Sequence, residues 1–471
     1  MYTKYSAEEL TAVFSVPRSV YFIGIGGISM SSLAHIAHDR GLTVGGYDRT
    51  PSHLTRALEA QGVQVNYTES AEHIKPYDVI VYTAAIKPDQ PELAAALASD
   101  RKGKYCVYRA DFLGWLMSAC ENRIGVAGMH GKSSTTSMIS HIFLAAGRDP
   151  TIVSGAELAE IGGAYRLGSH KDFIMEACEY QDSFLSFTPN IAVVLNIDLD
   201  HTDYFPGLDQ IVESFKKYLT IASDGHAVVN LADPNVRKAL DGYRGKVVGY
   251  SLTPGYGAEF TADNITSDGG CAEFDILKHG KLFTHVKLGV VGKHHVMNSL
   301  AAAAASDICG VSPEDIAKGL SGYRGAKRRM EYKGDMVTDS GDKVPVYDDY
   351  AHHPTEIRAT LEGALGMGKN VWVVFQPHTY SRTAALFDEF AKAFGGVRAV
   401  FADIYAAREV NTFGVSSEKL AKAAGGVYLP TMEEIASYLK RGMKAGDMLI
   451  VMGAGDIVKL DQLILKYSSA E

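Results

Sequence analysis

The sequence predicts an α/β protein of three domains, two of them Rossmann-like and the middle one built around a phosphate loop with an added antiparallel sheet. Three observations predict this. Short apolar runs alternate with helical patterns, the signature of a parallel, doubly wound sheet. That alternation restarts twice along 471 residues, a length that suits about three domains of about 150 residues each. A glycine-lysine loop opens the second block, where a strand feeds a helix.

In the first block, VYFIG at 20–24 reads as a strand, 28–41 as a helix, and VGGY at 44–47 and DVIVY at 78–82 as further strands. The rhythm restarts at Arg123, where RIGVAG leads through a loop to a helix from Lys132, so boundaries at 1–119, 120–328 and 329–471 are expected. FIMEA at 173–177 and IAVVLNI at 191–197 are nearly continuous apolar runs, expected of central strands covered on both faces. From Ala258 to Val290, β-rich segments separated by SDGG and KHGK read as antiparallel hairpins. An alanine-rich helix follows Asn298, and beyond YRGAKRRMEY the strands VPVYDD, NVWVVF, VRAVFA and DMLIVM alternate with helices.

Composition narrows the function. With 46 basic against 55 acidic residues, the formal charge of −9 disfavours nonspecific nucleic-acid binding. Five cysteines without CxxC spacing argue against a zinc knot or a disulfide framework and for a reducing cytoplasm. The stretch MYTKYSAEEL carries no charged-then-apolar signal pattern, and no run of about 18 apolar residues occurs, so neither export nor a membrane partner is expected.

The loop GMHGKSS, comprising Gly128, Met129, His130, Gly131, Lys132, Ser133 and Ser134, sits between a strand and a helix whose N-terminal amides face an anion. Lys132 would reach the β and γ phosphates and Ser133 offer its hydroxyl to Mg²⁺. The pattern is a shortened one, with Val126 where GxxxxGK[ST] has its first glycine. Glycines at such a place would otherwise simply end a strand and start a helix. An acid for the metal belongs at the carboxyl end of a neighbouring parallel strand, where Glu176 ends FIME and His201 follows LNIDLD. Zinc is disfavoured because no second histidine or cysteine is spaced to complete a tetrahedral site.

GIGGISMSSLA at 24–34 has the form of a pyrophosphate loop, yet Ser29 stands where a dinucleotide fingerprint has its third glycine. Asp48, ending the next strand, is placed to meet a ribose. This loop keeps an NAD-dependent oxidoreductase open as an alternative. DDYAHHPTEI at 348–357 and FQPHTYSRT at 375–383 follow apolar strands, so His352, His353, His378 and Arg382 line a crevice suited to anionic substrate groups.

Taken in order, GIGGISMSSLA, VAGMHGKSSTT, MEACEYQDSF, NIDLDHTDYF, GKHHVMNSLAA, KRRMEY, DDYAHHPTEI, FQPHTYSRT and GAGDI resemble the Mur ligases of bacterial peptidoglycan synthesis, from about residue 19 to 460. The resemblance implies an ATP-dependent, cytoplasmic bacterial enzyme that joins L-alanine to the carboxylate of UDP-N-acetylmuramate. It implies a UDP-binding first domain, with Gly26, Gly27, Ser29, Asp48 and Thr83 on the UDP-sugar, and an ATP-binding central domain. Lys132 and Ser133 match the phosphate lysine and metal hydroxyl, Glu176 and His201 the two magnesium ligands, and Asn298 an adenine-side asparagine. Arg329 and Asp349 correspond to residues that approach the γ-phosphate and ribose when the domains close. Tyr350, His352, His353 and Arg382 match the region that receives the muramate carboxylate and the amino acid. The implied cofactors are ATP and Mg²⁺, with Mn²⁺ as a substitute. The chain departs from the family at Met129, Ser133, Ala351 and Thr379, where a small residue, threonine, glycine and arginine are more frequent.

In that family the γ-phosphoryl group first activates the carboxylate as an acyl phosphate, and the amine then attacks through a tetrahedral intermediate. A base must free the amine, and His352 and His353 are both candidates. A ligase that reattaches a recycled tripeptide to the same nucleotide sugar is the nearest alternative. Monomer and homodimer both remain open.

Overall fold

The computed structural model describes residues 4–201, 204–407 and 409–465. Contacts divide the chain into two compact units, one holding the residues up to Asn196 with Val212–Gly249 and Ala304–Val311, the other Ile197–Ile211, Tyr250–Ala303 and the residues from Ser312 on.

The first unit opens with β1 (Ser19–Ile23), β2 (Thr43–Tyr47), β3 (Gln64–Asn66), β4 (Val79–Tyr82) and β5 (Tyr105–Tyr108), paired in the order β3-β2-β1-β4-β5. All four pairings are parallel. The order reverses beside β1, so the loops after β1 and β4 face one crevice. There follow β6 (Asn122–Ala127), β7 (Thr151–Leu158), β8 (Gly163–Arg166), β9 (Asp172–Glu176), β10 (Ile191–Val194) and β11 (His226–Asn230), ordered β11-β10-β6-β9-β7-β8. β6, β9 and β10 are central and buried for most of their length, as their unbroken apolar runs require.

One expectation needs correction. The strand read as running to Ile197 ends at Val194. The Leu195 amide still bonds Ala127 O at 3.0 Å, but Asn196 turns its backbone and side chain to the phosphate loop instead of a strand partner. An apolar run reports burial, and burial continues past the point where the ladder stops.

The second unit takes in β12 (Lys246–Ser251) only at its end, where Tyr250 and Ser251 pair parallel with Phe260 and Thr261 of β13 (Phe260–Asp268). β14 (Cys271–Lys278) and β15 (Lys281–Val291) then pair antiparallel through turns at Gly269–Gly270 and His279–Gly280, all four at positive φ. The antiparallel addition read from the sequence is thus present, and glycine suits these turns because left-handed backbone strains other residues. Its last sheet combines β16 (Glu331–Val337), β17 (Lys343–Asp349), β18 (Asn370–Phe375), β19 (Arg398–Phe401), β20 (Val427–Tyr428) and β21 (Asp447–Met452), ordered β16-β17-β21-β18-β19-β20. Along β18, Val371, Val373 and Phe375 enter one core with Ile357, Leu361 and Phe390, whereas Trp372 and Val374 enter another with Ile435, Leu439 and Leu460. Alternate side chains feed opposite faces, so helices cover both. Among the described residues no helix is long and apolar enough to cross a membrane.

Asp461, on the helix Lys459–Leu465, is 3% exposed and neither of its carboxylate oxygens has a hydrogen-bond partner. Burial, and then repulsion from Asp348, push its carboxyl up to about 7, against the attraction of Lys333 and Arg328. An acid raised in the folded state favours folding when protonated, and that advantage is lost as pH rises from the unfolded value through the folded one. Asp461→Asn is therefore expected to stabilise the protein by about 1–2 kcal/mol near pH 8 and to lose that advantage as pH falls to about 4, where the unfolded carboxyl is protonated too. Thermal unfolding midpoints across this window check it; an equal gain at both ends would exclude the titration.

Candidate functional site

β6 delivers the chain into the loop 128–131, and the helix Lys132–Ala145 starts at once. Gly131 caps that helix at φ 85, a conformation that suits glycine, and a Cβ on Gly128 would lie 2.9 Å from Leu195 Cβ. Asn196 clasps the loop: its carbonyl accepts from the Met129 amide at 3.2 Å, Oδ1 accepts from the His130 amide at 2.8 Å, and Nδ2 donates to His130 O at 2.9 Å. Ser133 and Ser134 lie buried in the first turn, behind amides whose partial positive charge favours an anion.

Lys132 Nζ donates to Gly128 O at 2.6 Å and Met129 O at 3.2 Å, and lies 3.0 Å from Glu179 Oε2. Burial alone would lower the affinity of this amine for its proton. Glu179, with Cys178 and Glu176 behind it, more than offsets that, so the ammonium is held above its ordinary pKa. Ser133 Oγ donates to Glu176 Oε2 at 2.9 Å, and the same oxygen accepts the Gly155 amide at 3.1 Å. A hydroxyl and a carboxylate touching beside a phosphate loop are hard oxygen donors that fit Mg²⁺.

In the first sheet, the Gly24 and Ile25 amides both donate to Tyr47 O, at 2.7 and 2.9 Å, which folds the loop after β1 tightly. The Gly26 amide donates to Asp48 Oδ2 at 2.8 Å, and a Cβ on Gly26 would come within 2.8 Å of that oxygen. Asp48 therefore closes the loop as well as facing the crevice. Gly27 caps the helix Ile28–Asp39, and Ser29 Oγ in its first turn accepts from an Arg109 guanidinium nitrogen at 2.9 Å. Gly27, Ser29, Asp48, Thr83 and Arg109 share the lining of a cavity of about 560 Å³ with Gly155 and Glu176.

The second unit holds the other candidates. Asp349 ends β17 fully buried and accepts the Met330 and Ala351 amides at 2.9 and 2.8 Å. Burial raises its carboxyl to about 6, opposed first by Arg329. Arg329 lies 3.6 Å from Glu356, and the Glu356 carboxylate also accepts the His352 amide at 3.2 Å. Tyr350 is 37% exposed, with the Arg328 and Arg329 guanidinium groups 5.0 and 5.8 Å from its ring centre. His201 has φ 51, and its amide donates to Asp200 Oδ1 at 2.7 Å. Asn298 is buried in the helix His294–Ile308.

The two adjacent histidines differ. His352 Nδ1 donates to Tyr350 O at 2.9 Å, leaving Nε2 as the nitrogen with the lone pair, and burial lowers its pKa to about 4. His353 caps the helix Pro354–Leu365, its Nδ1 accepting the Thr355 amide at 3.2 Å while Nε2 donates to Leu199 O at 3.2 Å. Both nitrogens of His353 are committed to backbone. Arg382 donates from Nε to Asp200 Oδ1 at 2.9 Å, and a terminal nitrogen meets His378 Nδ1 at 3.3 Å. His378 stacks on Tyr405 at 5.6 Å.

Sequence reasoning passed over Glu179, Asn196, Arg109, Asp200 and Glu356. Glu179 and Asp200 lay inside quoted motifs, MEACEYQDSF and NIDLDHTDYF, but were overshadowed by Glu176 and His201. Glu356 stands four residues after His352, one helical turn, which is a readable pairing signal. Arg109 opens a helix after β5 with no motif of its own.

Comparison with known proteins gives three consecutive family matches. "Mur ligase family, catalytic domain" matches residues 19–120, "Mur ligase middle domain" 126–306, and "Mur ligase, glutamate ligase domain" 328–455. The chain is 44% identical over 458 residues to the UDP-N-acetylmuramate--L-alanine ligase of Acetivibrio thermocellus, covering 95% of this chain and 96% of that one. It is 44% identical over 463 residues to the enzyme of the same name from Agathobacter rectalis, covering 96% and 99%. A crystal structure of UDP-N-acetylmuramate-alanine ligase from Thermotoga maritima shares the fold, with TM-score 0.78 and 23% identity over 96% of this chain and all of that one.

Proposed function

The chain belongs to the Mur ligase family, and on that premise we propose that it joins L-alanine to the carboxylate of UDP-N-acetylmuramate with consumption of ATP. It is an ATP-dependent, amide-forming ligase of peptidoglycan precursor synthesis. The observation that carries the reading is the double position of Glu176, which bonds Ser133 of the phosphate loop and also lines the cavity that holds Gly27, Ser29 and Thr83. One carboxylate thus belongs to both the ATP site and the candidate UDP-sugar site.

Gly26, Gly27 and Ser29 take the diphosphate, with Asp48 and Thr83 on the uridine side and Arg109 adding a cation beside Ser29. The loop 128–134 takes the ATP phosphates, with Asn298 on the adenine and Arg329 and Asp349 on the γ-phosphate and ribose. Mg²⁺, replaceable by Mn²⁺, would be held by Ser133, Glu176 and His201 and supply charge that favours phosphoryl transfer. Lys132 offsets the charge that develops as the carboxylate takes the γ-phosphoryl group and becomes an acyl phosphate. Tyr350 and Arg382 hold the amino acid. His352 takes the proton of its amine, because its Nε2 lone pair remains after Nδ1 is bonded, whereas His353 holds a helix end. The enzyme works in the cytoplasm, without nucleic-acid or membrane partners, as a monomer or homodimer, with domains at 1–119, 120–328 and 329–471.

Incubation with UDP-N-acetylmuramate, ATP, Mg²⁺ and each amino acid, followed by mass analysis of the product, tests this. An alanyl adduct is expected; phosphate release with tripeptide alone would move the chain to the recycling ligases. Reduction of NAD instead would support the oxidoreductase, which leaves the loop at 128 unexplained. Arg109→Ala is expected to raise KM for the nucleotide sugar about 10- to 100-fold, the worth of a charge-assisted hydrogen bond, while KM for ATP stays put. Equal shifts in both would remove Arg109 from the sugar-nucleotide site.

A further inference from the structure

We propose that Glu179 is the positioning residue of the phosphate loop, fixing the charged end of Lys132 so that ATP phosphates replace two loop carbonyls without the amine having to be recruited. The proposal rests on the reading of this site as the ATP site. The Glu179 side chain is fully buried, and its carboxylate lies 3.0 and 3.1 Å from Lys132 Nζ. The other bonds of that ammonium run to Gly128 O and Met129 O. An ammonium offers three donors, so a tether to Glu179 leaves two for phosphate oxygens. The two carbonyl bonds are the ones that a nucleotide exchanges.

The segment carrying Glu179 is built to hold it still. Gln181 and Asp182, two and three residues on, both adopt left-handed backbone, at φ 53 and 57, which is costly for residues with side chains and persists only where the surroundings impose it. Asp182 accepts a hydrogen bond from Ser214 Oγ, and Phe184 stacks on Tyr218 at 4.7 Å, so the turn is anchored at two points. Tyr218 in turn donates to Gly125 O at 2.9 Å, within the strand that leads into the loop. The strained turn and the phosphate loop therefore share one scaffold, and Glu179 cannot follow the lysine far. The ion pair is also insulated, since Glu179 is excluded from water and charge-assisted bonds gain strength there.

The test compares Glu179→Gln, Glu179→Asp and Glu179→Ala in the full-length enzyme, with wild type assayed alongside. Glu179→Gln is expected to raise KM for ATP about tenfold and lower kcat about 30-fold, leaving KM for UDP-N-acetylmuramate unchanged. Glu179→Asp, which keeps the charge on a shorter stem, is expected to recover a large part of both, and Glu179→Ala none. Thermal unfolding and binding of UDP-N-acetylmuramate are measured on each variant, so that a fall in activity is compared only among folded proteins. Kinetics for Glu179→Gln within twofold of wild type would overturn the assignment, as would an increased Mg²⁺ requirement at unchanged KM for ATP, which would put Glu179 on the metal. Absence of amide product from the wild type would instead refute the reading of the site, a different result from wild-type turnover with an inert Glu179.

Discussion

Lys132→Ala is expected to lower kcat about 10³-fold or more while the protein still binds UDP-N-acetylmuramate. The reason is the separation of duties within one unit. In the function proposed above the nucleotide sugar is received by the loop after β1 and by Thr83 and Arg109, which line one cavity, and none of these touches Lys132 in the hydrogen bonds of its amine. A transferring phosphoryl group needs positive charge beside it, the role proposed for Lys132, and no other side chain in the loop 128–134 is a fixed cation. The partial reaction shows this directly: with ATP and sugar nucleotide but no alanine, the acyl phosphate trapped by hydroxylamine is expected in wild type and absent in Lys132→Ala. Lys132→Arg is expected to recover little, because the site closes around a point charge between two carbonyls and Glu179, and a planar guanidinium does not fit that geometry. Trapping at wild-type levels in Lys132→Ala would remove the lysine from the chemistry.

Arg382→Ala is expected to abolish alanine-dependent turnover and also to destabilise the second unit by about 3–5 kcal/mol. Arg382 and Asp200 are 11% and 7% exposed and lie 2.9 Å apart, so truncating the arginine leaves a buried carboxylate without its main partner. Burial would raise the carboxyl of Asp200, but Arg382 first, with His201, His352 and His353, holds it well below the usual carboxylate range. A depressed acid contributes stability above its unfolded pKa and loses it as pH falls through the folded one, so the contribution is complete at neutral pH. The two effects separate in the double variant Arg382→Ala/Asp200→Asn. It is expected to regain stability by urea unfolding, since the stranded charge is gone, and to remain inactive. Recovery of activity with stability would mean that Arg382 acts only as a structural partner of Asp200.

Much of this was legible in the chain. Lys132 and Ser133 stand at the head of a helix after an apolar strand, and strand-to-helix order alone places them at the carboxyl edge of a parallel sheet. Glu176 could be put on that edge for the same reason, and its bond with Ser133 follows from β9 lying next to β6. Other parts were not readable. His352 and His353 carry the same ring in adjacent positions, and only their backbone partners tell them apart. The strand read as 191–197 stops at Val194 because Asn196 serves the loop, and hydropathy carries no mark of a hydrogen-bond partner.

By itself, then, the sequence determined the α/β class and the family, and it placed Lys132 at the head of a helix that follows an apolar strand. These depend on local periodicity and on short motifs, which a linear pattern records. The tertiary structure decided what each charge does: Asp48 closing a glycine loop, Arg109 joining Ser29, Asp200 holding Arg382, and Glu179 holding Lys132. Those pairs bring together residues 22 to 182 positions apart. A charge in a chain shows only its sign, whereas its partner and its burial fix its strength, and both arise when the strands are laid side by side.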